Sequence, residues 1–186
     1  MGGLTNFRPI PKHVPICEQL HIRPTHQSNF FKMTPMIFDY LGEGQSLVHV
    51  GAHYAEERHL YQKKALNVMW VEACPLFSHK LKSNLATFDN QDFRLAALSR
   101  VSGLKTTFHI SKNSGGVSSS FYQFGEDVDS LWPQLELRHT NALSVVTKTF
   151  DQFVEEEHHW FSTHDPSALL IDIQGAEIDF LLGAKG

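Results

Sequence analysis

Residues 46–57 decide the fold: Ser46-Leu47-Val48-His49-Val50-Gly51-Ala52-His53-Tyr54-Ala55-Glu56-Glu57. Residues 46–50 are short, apolar and rich in β-branched side chains, which predicts a strand. Gly51 follows at once, so the chain can turn sharply and bring its backbone close to a neighbour or ligand. Residues 55–66 then read as a helix. Glu56 and Glu57 stand in its first turn and Lys63 and Lys64 near its end, the order that suits the helix dipole. Asn67 marks the stop. A strand, a tight glycine turn and a helix make the opening half of a β-α-β unit.

Working outward, residues 68–71 read as a second strand, closed by Glu72. Pro75 fits the first turn of a new helix. Phe77, Leu81, Leu85 and Phe88 recur at spacings of four, four and three, so one face of that helix is apolar. Residues 93–98 read as a third strand. Short connections between these elements imply a parallel sheet covered by helices. Further on, residues 105–110 alternate as an antiparallel excursion. Residues 111–120 (SKNSGGVSSS) read as a flexible polar loop. Residues 144–149 are predicted as a strand, 151–159 as a helix with Asp151 at its N-cap, 168–173 as a buried strand, and 176–182 as the start of a helix.

Composition sets the frame. The chain has 186 residues, with 41% hydrophobic and 19% charged side chains, the balance of one folded domain. Five of its eight prolines fall within residues 1–35, which therefore read as an irregular N-terminal arm, with the folded domain over 36–186. Net charge is 16 minus 20, or −4, which argues against a nucleic-acid partner. Cys17 and Cys74 are too few for a disulfide framework or an all-thiolate metal site. No apolar run reaches membrane-spanning length, and the N-terminus lacks the apolar core of a signal peptide. Met1-Gly2 is followed by Asn6 where a myristoylation signal needs Ser or Thr. A cytoplasmic protein with no membrane partner is expected.

In an open parallel sheet, ligands bind at the carboxyl ends of the strands. Three such ends carry polar chemistry: Gly51-Ala52-His53, then Glu72, 21 residues past Gly51, then Asp172 before Gln174-Gly175-Ala176-Glu177. A carboxylate about 20 residues past a glycine turn can accept both hydroxyls of a ribose.

The order LVHVGAH (47–53), VMWVEACP (68–75), LAALS (95–99), VSSS (117–120), TKTFD (147–151) and LLIDIQGAEIDFLLGA (169–184) resembles the FkbM-type methyltransferases. The resemblance covers residues 47–184, and its ending is the most specific piece. It implies a Rossmann-like class I methyltransferase sheet and S-adenosylmethionine as cofactor. It also implies O-methylation of a hydroxyl on a sugar or natural product. Under it, Gly51 and the backbone at Ala52 and His53 would hold the methionine part, and Glu72, followed by Ala73, the ribose. The strand end at Ala96, Ala97 and Leu98 would lie beside the adenine, and Asp172 where the methyl meets its acceptor. His49, Ala55 and Ala73 stand where the family usually carries an acid, a second glycine and a proline. The family's sheet continues past the GAE helix, whereas this sequence ends at Gly186. The sheet is therefore expected to be incomplete at its C-terminal side, as a fragment, a truncated product, or a chain whose sheet an oligomer or partner completes.

Methyl transfer to a hydroxyl needs alignment and a base. Asp172 is the first candidate base and His53, which titrates near neutrality, the second. No metal is required. Three rivals stand beside this reading. His158, His159, His164 and Asp165 are zinc-type ligands, without the spacing of a known zinc motif. A module that binds cofactor or a partner without turnover would use the 111–120 loop and the arm as contact surfaces. An NAD-dependent oxidoreductase shares the glycine-and-acid logic but lacks the GxGxxG pattern.

Overall fold

The computed structural model describes residues 40–186; the proline-rich arm expected over 1–35 lies outside the described residues. Strand β1 (Ser46–Val50) leads through a turn into helix α1 (Arg58–Lys63), and β2 (Asn67–Glu72) follows. A single 3₁₀ turn, Pro75–Phe77, opens α2 (Ser78–Leu85), with Pro75 in its first turn as the sequence predicts. Strands β3 (Gln91–Leu95) and β4 (Ala97–Leu98) come next, then β5 (Lys105–Ser111). After the one-turn helix α3 (Val128–Leu131) come β6 (His139–Lys148), α4 (Phe150–Glu156), α5 (His158–His164), β7 (Ala168–Ile171) and α6 (Glu177–Leu182).

The four-stranded sheet runs β3-β2-β1-β7 and is parallel throughout. Burial explains the pairing. All five residues of β1 are buried, as are five of the six in β2, the near-continuous apolar run of a strand covered on both faces. Side chains alternate between those faces. Val48, Val50, Met69 and Val71 pack with Leu98, Phe153, Trp160 and Phe180, so α4, α5 and α6 cover that side. On the other face Trp70 meets the rings of Tyr61 and His49. The chain is thus an α/β sandwich around a mainly parallel sheet.

Several elements differ from the sequence reading for local reasons. The helix expected over 55–66 begins only at Arg58, because His53 and Ala55 take left-handed φ of 44° and 54°. Each such residue costs about 1–2 kcal/mol without glycine. The expected strand 93–98 is two strands. Its first part pairs with β2, and Ala97-Leu98 joins a second sheet, β4-β6-β5, beside Thr147-Lys148. Strand β5 is antiparallel to β6, as its alternation predicts. Helix α4 is capped by Thr149, whose hydroxyl accepts the Gln152 N–H, and not by Asp151.

The expected flexible loop over 111–120 is instead a turn stitched by its own hydroxyls. Ser119 Oγ accepts the Ser111 N–H and donates to the Gly116 carbonyl at 2.6 Å. Ser111 Oγ accepts the Ser118 N–H, and Ser118 Oγ accepts the Asn113 amide. Ser120 pairs with His109 as a short antiparallel bridge. Among the described residues no helix is long and apolar enough to cross a membrane.

Candidate functional site

From β1 the chain crosses to β2 on one side, while β7 lies on the other. That reversal is a topological switch point, where the carboxyl ends of two strands diverge and leave a crevice. Val50, Gly51, His53, Glu72, Ala73 and Asp172 line one side of this cleft. Phe77, Phe108, Gly116, Val117, Ser119 and Phe121 close it from the other.

Gly51 sits at φ +94°, and an added Cβ would stand 1.8 Å from the Asp172 carbonyl oxygen. The glycine is required first by the close approach of the β1 and β7 ends. The turn's N–H groups are spent inside the protein. Those of Gly51 and Ala52 donate to the Val71 carbonyl at 2.9 and 3.0 Å, and that of His53 to Glu72 Oε2 at 2.7 Å. The N–H groups of Gly51, Ala52 and His53 are thus engaged within the protein. Ala52 itself is buried in the core, 2% exposed, and does not line the cleft.

Glu72 ends β2 and is buried. Oε2 holds His53 and Oε1 accepts the Cys74 N–H at 2.7 Å. The Ala73 N–H also acts on this carboxylate, and of its about four lone-pair sites one is left for a ligand hydroxyl. Burial raises its pKa, against the lowering effect of those backbone donors. Alternation corrects one more expected residue. Ala96 and Leu98 face the cleft, whereas Ala97 points away into the core beside Thr147. His49 also faces away. Its Nδ1 lies 3.0 Å from the Tyr61 hydroxyl, its ring stacks on Trp70, and burial lowers its pKa to about 3. His49, where the resemblance expects an acid, therefore lies on the covered face of the sheet.

His53 bridges two segments. Nδ1 lies 2.8 Å from Glu56 Oε1 and Nε2 lies 3.2 Å from the Gly115 carbonyl. Burial alone would lower its pKa, but Glu56, the Gly115 carbonyl and the Glu72 charge outweigh it and raise it. Asp172 reaches solvent at the end of β7. Gln174 Nε2 donates to its Oδ1 at 2.5 Å, and the surrounding protein, with Glu177, raises its pKa despite that hydrogen bond. Glu177 does not enter the cleft. Its carboxylate accepts the N–H groups of Ile173 and Gly175 and so braces a turn in which Gln174 and Gly175 are left-handed.

Sequence reasoning brought Gly51, His53, Glu72, Ala73, Leu98 and Asp172 to one cleft. It missed the wall formed by 116–121 and Gln174. The paired glycines 115–116 between serines were the available signal. His158 turns its Nδ1 to the Glu155 carbonyl at the end of α4, and His164 turns its Nδ1 to the Trp160 carbonyl in its own helix. Among the described residues no group of three or more His, Cys, Asp or Glu is placed to hold a metal ion.

No curated protein sequence matches the chain. Among solved structures it is similar to a putative sarcosine dimethylglycine methyltransferase from Galdieria sulphuraria. Identity is 14% and the TM-score 0.32, over 37% of this chain and 27% of that one. It is also similar to YjhP from E. coli, at 13% identity and a TM-score of 0.32, over 45% of this chain and 38% of that one. The aligned parts thus span less than half of either protein. The family model described as the methyltransferase FkbM domain matches residues 48–186, from inside β1 to the last residue, so the chain belongs to the FkbM methyltransferase family.

Proposed function

We propose that this domain transfers a methyl group from S-adenosylmethionine to a hydroxyl of a sugar or natural-product acceptor. The observation that carries the reading is the meeting of Glu72 and Asp172 in one cleft at the switch point, on either side of Gly51. Glu72 has acceptor capacity left for a ribose hydroxyl. Val50, Ala96, Leu98, Phe108 and Phe121 offer apolar surface for a flat base and exclude water from it. These residues fit the adenosine half of the cofactor. When bound, it supplies a methyl group already activated by the sulfonium charge.

The acceptor hydroxyl must lose its proton during attack, and a positioned base is worth typically 10²–10⁴-fold. Asp172 suits that work. One oxygen is fixed by Gln174, the carboxylate is at the cleft mouth, and its raised pKa strengthens it as a base. His53 suits it less, because both ring nitrogens already face oxygen atoms.

The test is calorimetric titration of the 186-residue chain with S-adenosylmethionine and S-adenosylhomocysteine, with NAD as control. Saturable binding of the first two alone supports the reading; no binding by a folded chain overturns it. Once an acceptor is found, Asp172→Asn should leave cofactor affinity intact and cut turnover by about 10²-fold or more. Unchanged turnover would make Asp172 structural.

A further inference from the structure

His53 and Gly115 are 62 residues apart in sequence and meet at the mouth of the cleft. The His53 ring has an acceptor at each nitrogen: the Glu56 carboxylate at Nδ1 and the Gly115 carbonyl at Nε2. A carbonyl and an ionised carboxylate can only accept, and a neutral imidazole carries one N–H. Only the imidazolium satisfies both.

The contact is built on packing. The His53 ring lies 3.9 Å from that of Tyr54 and edge-on to Phe77 at 4.9 Å, centroid to centroid. Gly116, at φ +104°, comes so near Phe77 that an added Cβ would stand 2.7 Å from the ring. Gly115 and Gly116 therefore rest on an aromatic shelf of Tyr54 and Phe77, with His53 as a polar tie. Gly116, Val117 and Ser119, just beyond the tie, form the far wall of the cleft.

We propose that His53 is a positioning residue: as an imidazolium it ties the turn after β1 to Gly115, and so holds the 116–119 wall against the cofactor cleft. The inference rests on the reading of that cleft as the cofactor site. The ionisable groups facing His53 are Glu56 on its own turn, Glu72 at the end of β2 and the Tyr54 hydroxyl, which also points at the Gly115 carbonyl. Lys80 of α2 lies over the outer part of this cluster, 4.1 Å from the Tyr54 ring centre. The two nearest carboxylates favour the charged ring. Because its folded pKa is raised above 6.5, the tie is complete below that value and is lost as pH rises through the folded pKa.

The test follows amide hydrogen exchange of Val117, Ser118 and Ser119 in the full chain from pH 6.0 to 8.5, corrected for intrinsic chemistry. The His53 ring is titrated by NMR, and S-adenosylhomocysteine affinity is measured in parallel. Wild-type exchange should accelerate as His53 deprotonates, roughly tenfold, the effect of losing one charge-assisted hydrogen bond. His53→Gln should exchange fast at every pH, with no pH step. Glu56→Gln, on an exposed side chain outside the cleft, should move the step and the ring titration together to lower pH. Affinity for S-adenosylhomocysteine should fall across the same step. Exchange that is flat in the wild type, or a step that Glu56→Gln leaves in place, overturns the proposal. Absence of cofactor binding at all pH values would refute the cofactor reading alone, because exchange and ring titration still report the tie.

Discussion

Replacing Gly51 by alanine separates two reasons for a glycine at this turn. The added Cβ would lie 1.8 Å from the Asp172 carbonyl oxygen and 2.7 Å from its carbon. Carbon-to-oxygen contacts settle at about 3.3 Å or more, so the strand ends must part by about 1.5 Å. The Asp172 N–H to Val50 carbonyl bond, 2.9 Å long, sits at that point and would break, at about 1 kcal/mol. Forcing alanine to φ +94° adds roughly 1–3 kcal/mol, and the overlap roughly 1–3 kcal/mol more. The sum is roughly 5 kcal/mol, much of the margin of a typical domain. With a urea m-value of about 2 kcal/mol/M, the midpoint should fall by roughly 2.5 M. Gly44→Ala is the control. Gly44 has φ +74° but nothing within 4 Å of the new methyl group, so it carries the strain alone, about 1 kcal/mol. Urea unfolding followed by tryptophan fluorescence reads both. Equal shifts in the two variants would refute the close-approach argument and return Gly51 to a purely ligand-facing role.

Three further predictions concern groups whose surroundings are now defined. His49, with its pKa lowered to about 3 by burial, lets the unfolded chain take up a proton that the folded one refuses. Stability should therefore fall as pH drops below 6.5, with a contribution of about 1.4 kcal/mol per pH unit from this group. His49→Gln, which keeps a polar partner for Tyr61, should remove that contribution; an unchanged slope of urea stability between pH 6 and 4 counts against it. Glu72→Ala strips the acceptor from the N–H groups of His53 and Cys74. It should cost about 2 kcal/mol of stability as well as S-adenosylhomocysteine affinity; a folded variant that binds normally would take Glu72 out of the site. Thr149→Ala should cost about 1 kcal/mol by uncapping α4. Asp151→Ala should leave the cap intact, since that carboxylate holds the Lys185 N–H instead; the reverse order in urea would show the cap misassigned.

Much of the site was legible because parallel strands announce themselves. Strands β1 and β2 are covered on both faces and so read as apolar runs, and their crossovers bring Gly51, Glu72 and Asp172 to one edge whatever the details between them. What was not legible depends on contacts distant in sequence or on backbone conformation. Nothing near Gly51 says that its missing Cβ faces the Asp172 carbonyl, 121 residues on. The late start of α1 follows from left-handed φ at His53 and Ala55, residues that elsewhere are compatible with a helix. The run 111–120 is polar and small, which reads as mobile until its hydroxyls are seen to bond one another. Residues 93–98 are uniformly strand-like, and only the position of β6 divides them between two sheets.

The wiring of the turn also bears on which cofactor the cleft prefers. Dinucleotide sites hold a pyrophosphate on free N–H groups at a glycine turn and on the helix start beyond it. Here the N–H groups of Gly51 and Ala52 are taken by Val71 and that of His53 by Glu72. Helix α1 is only six residues long and begins several residues past the turn. No lysine or arginine lines the cleft among the described residues. What faces the ligand is acceptor-rich: Glu72 with an unused lone pair, Asp172 with one oxygen free of Gln174, and Glu56 just outside. Such a surface repels a pyrophosphate and favours a ligand that brings hydroxyl donors and positive charge. A sulfonium nucleoside brings both and carries no pyrophosphate, so the wiring of the turn supports the proposed S-adenosylmethionine over NAD.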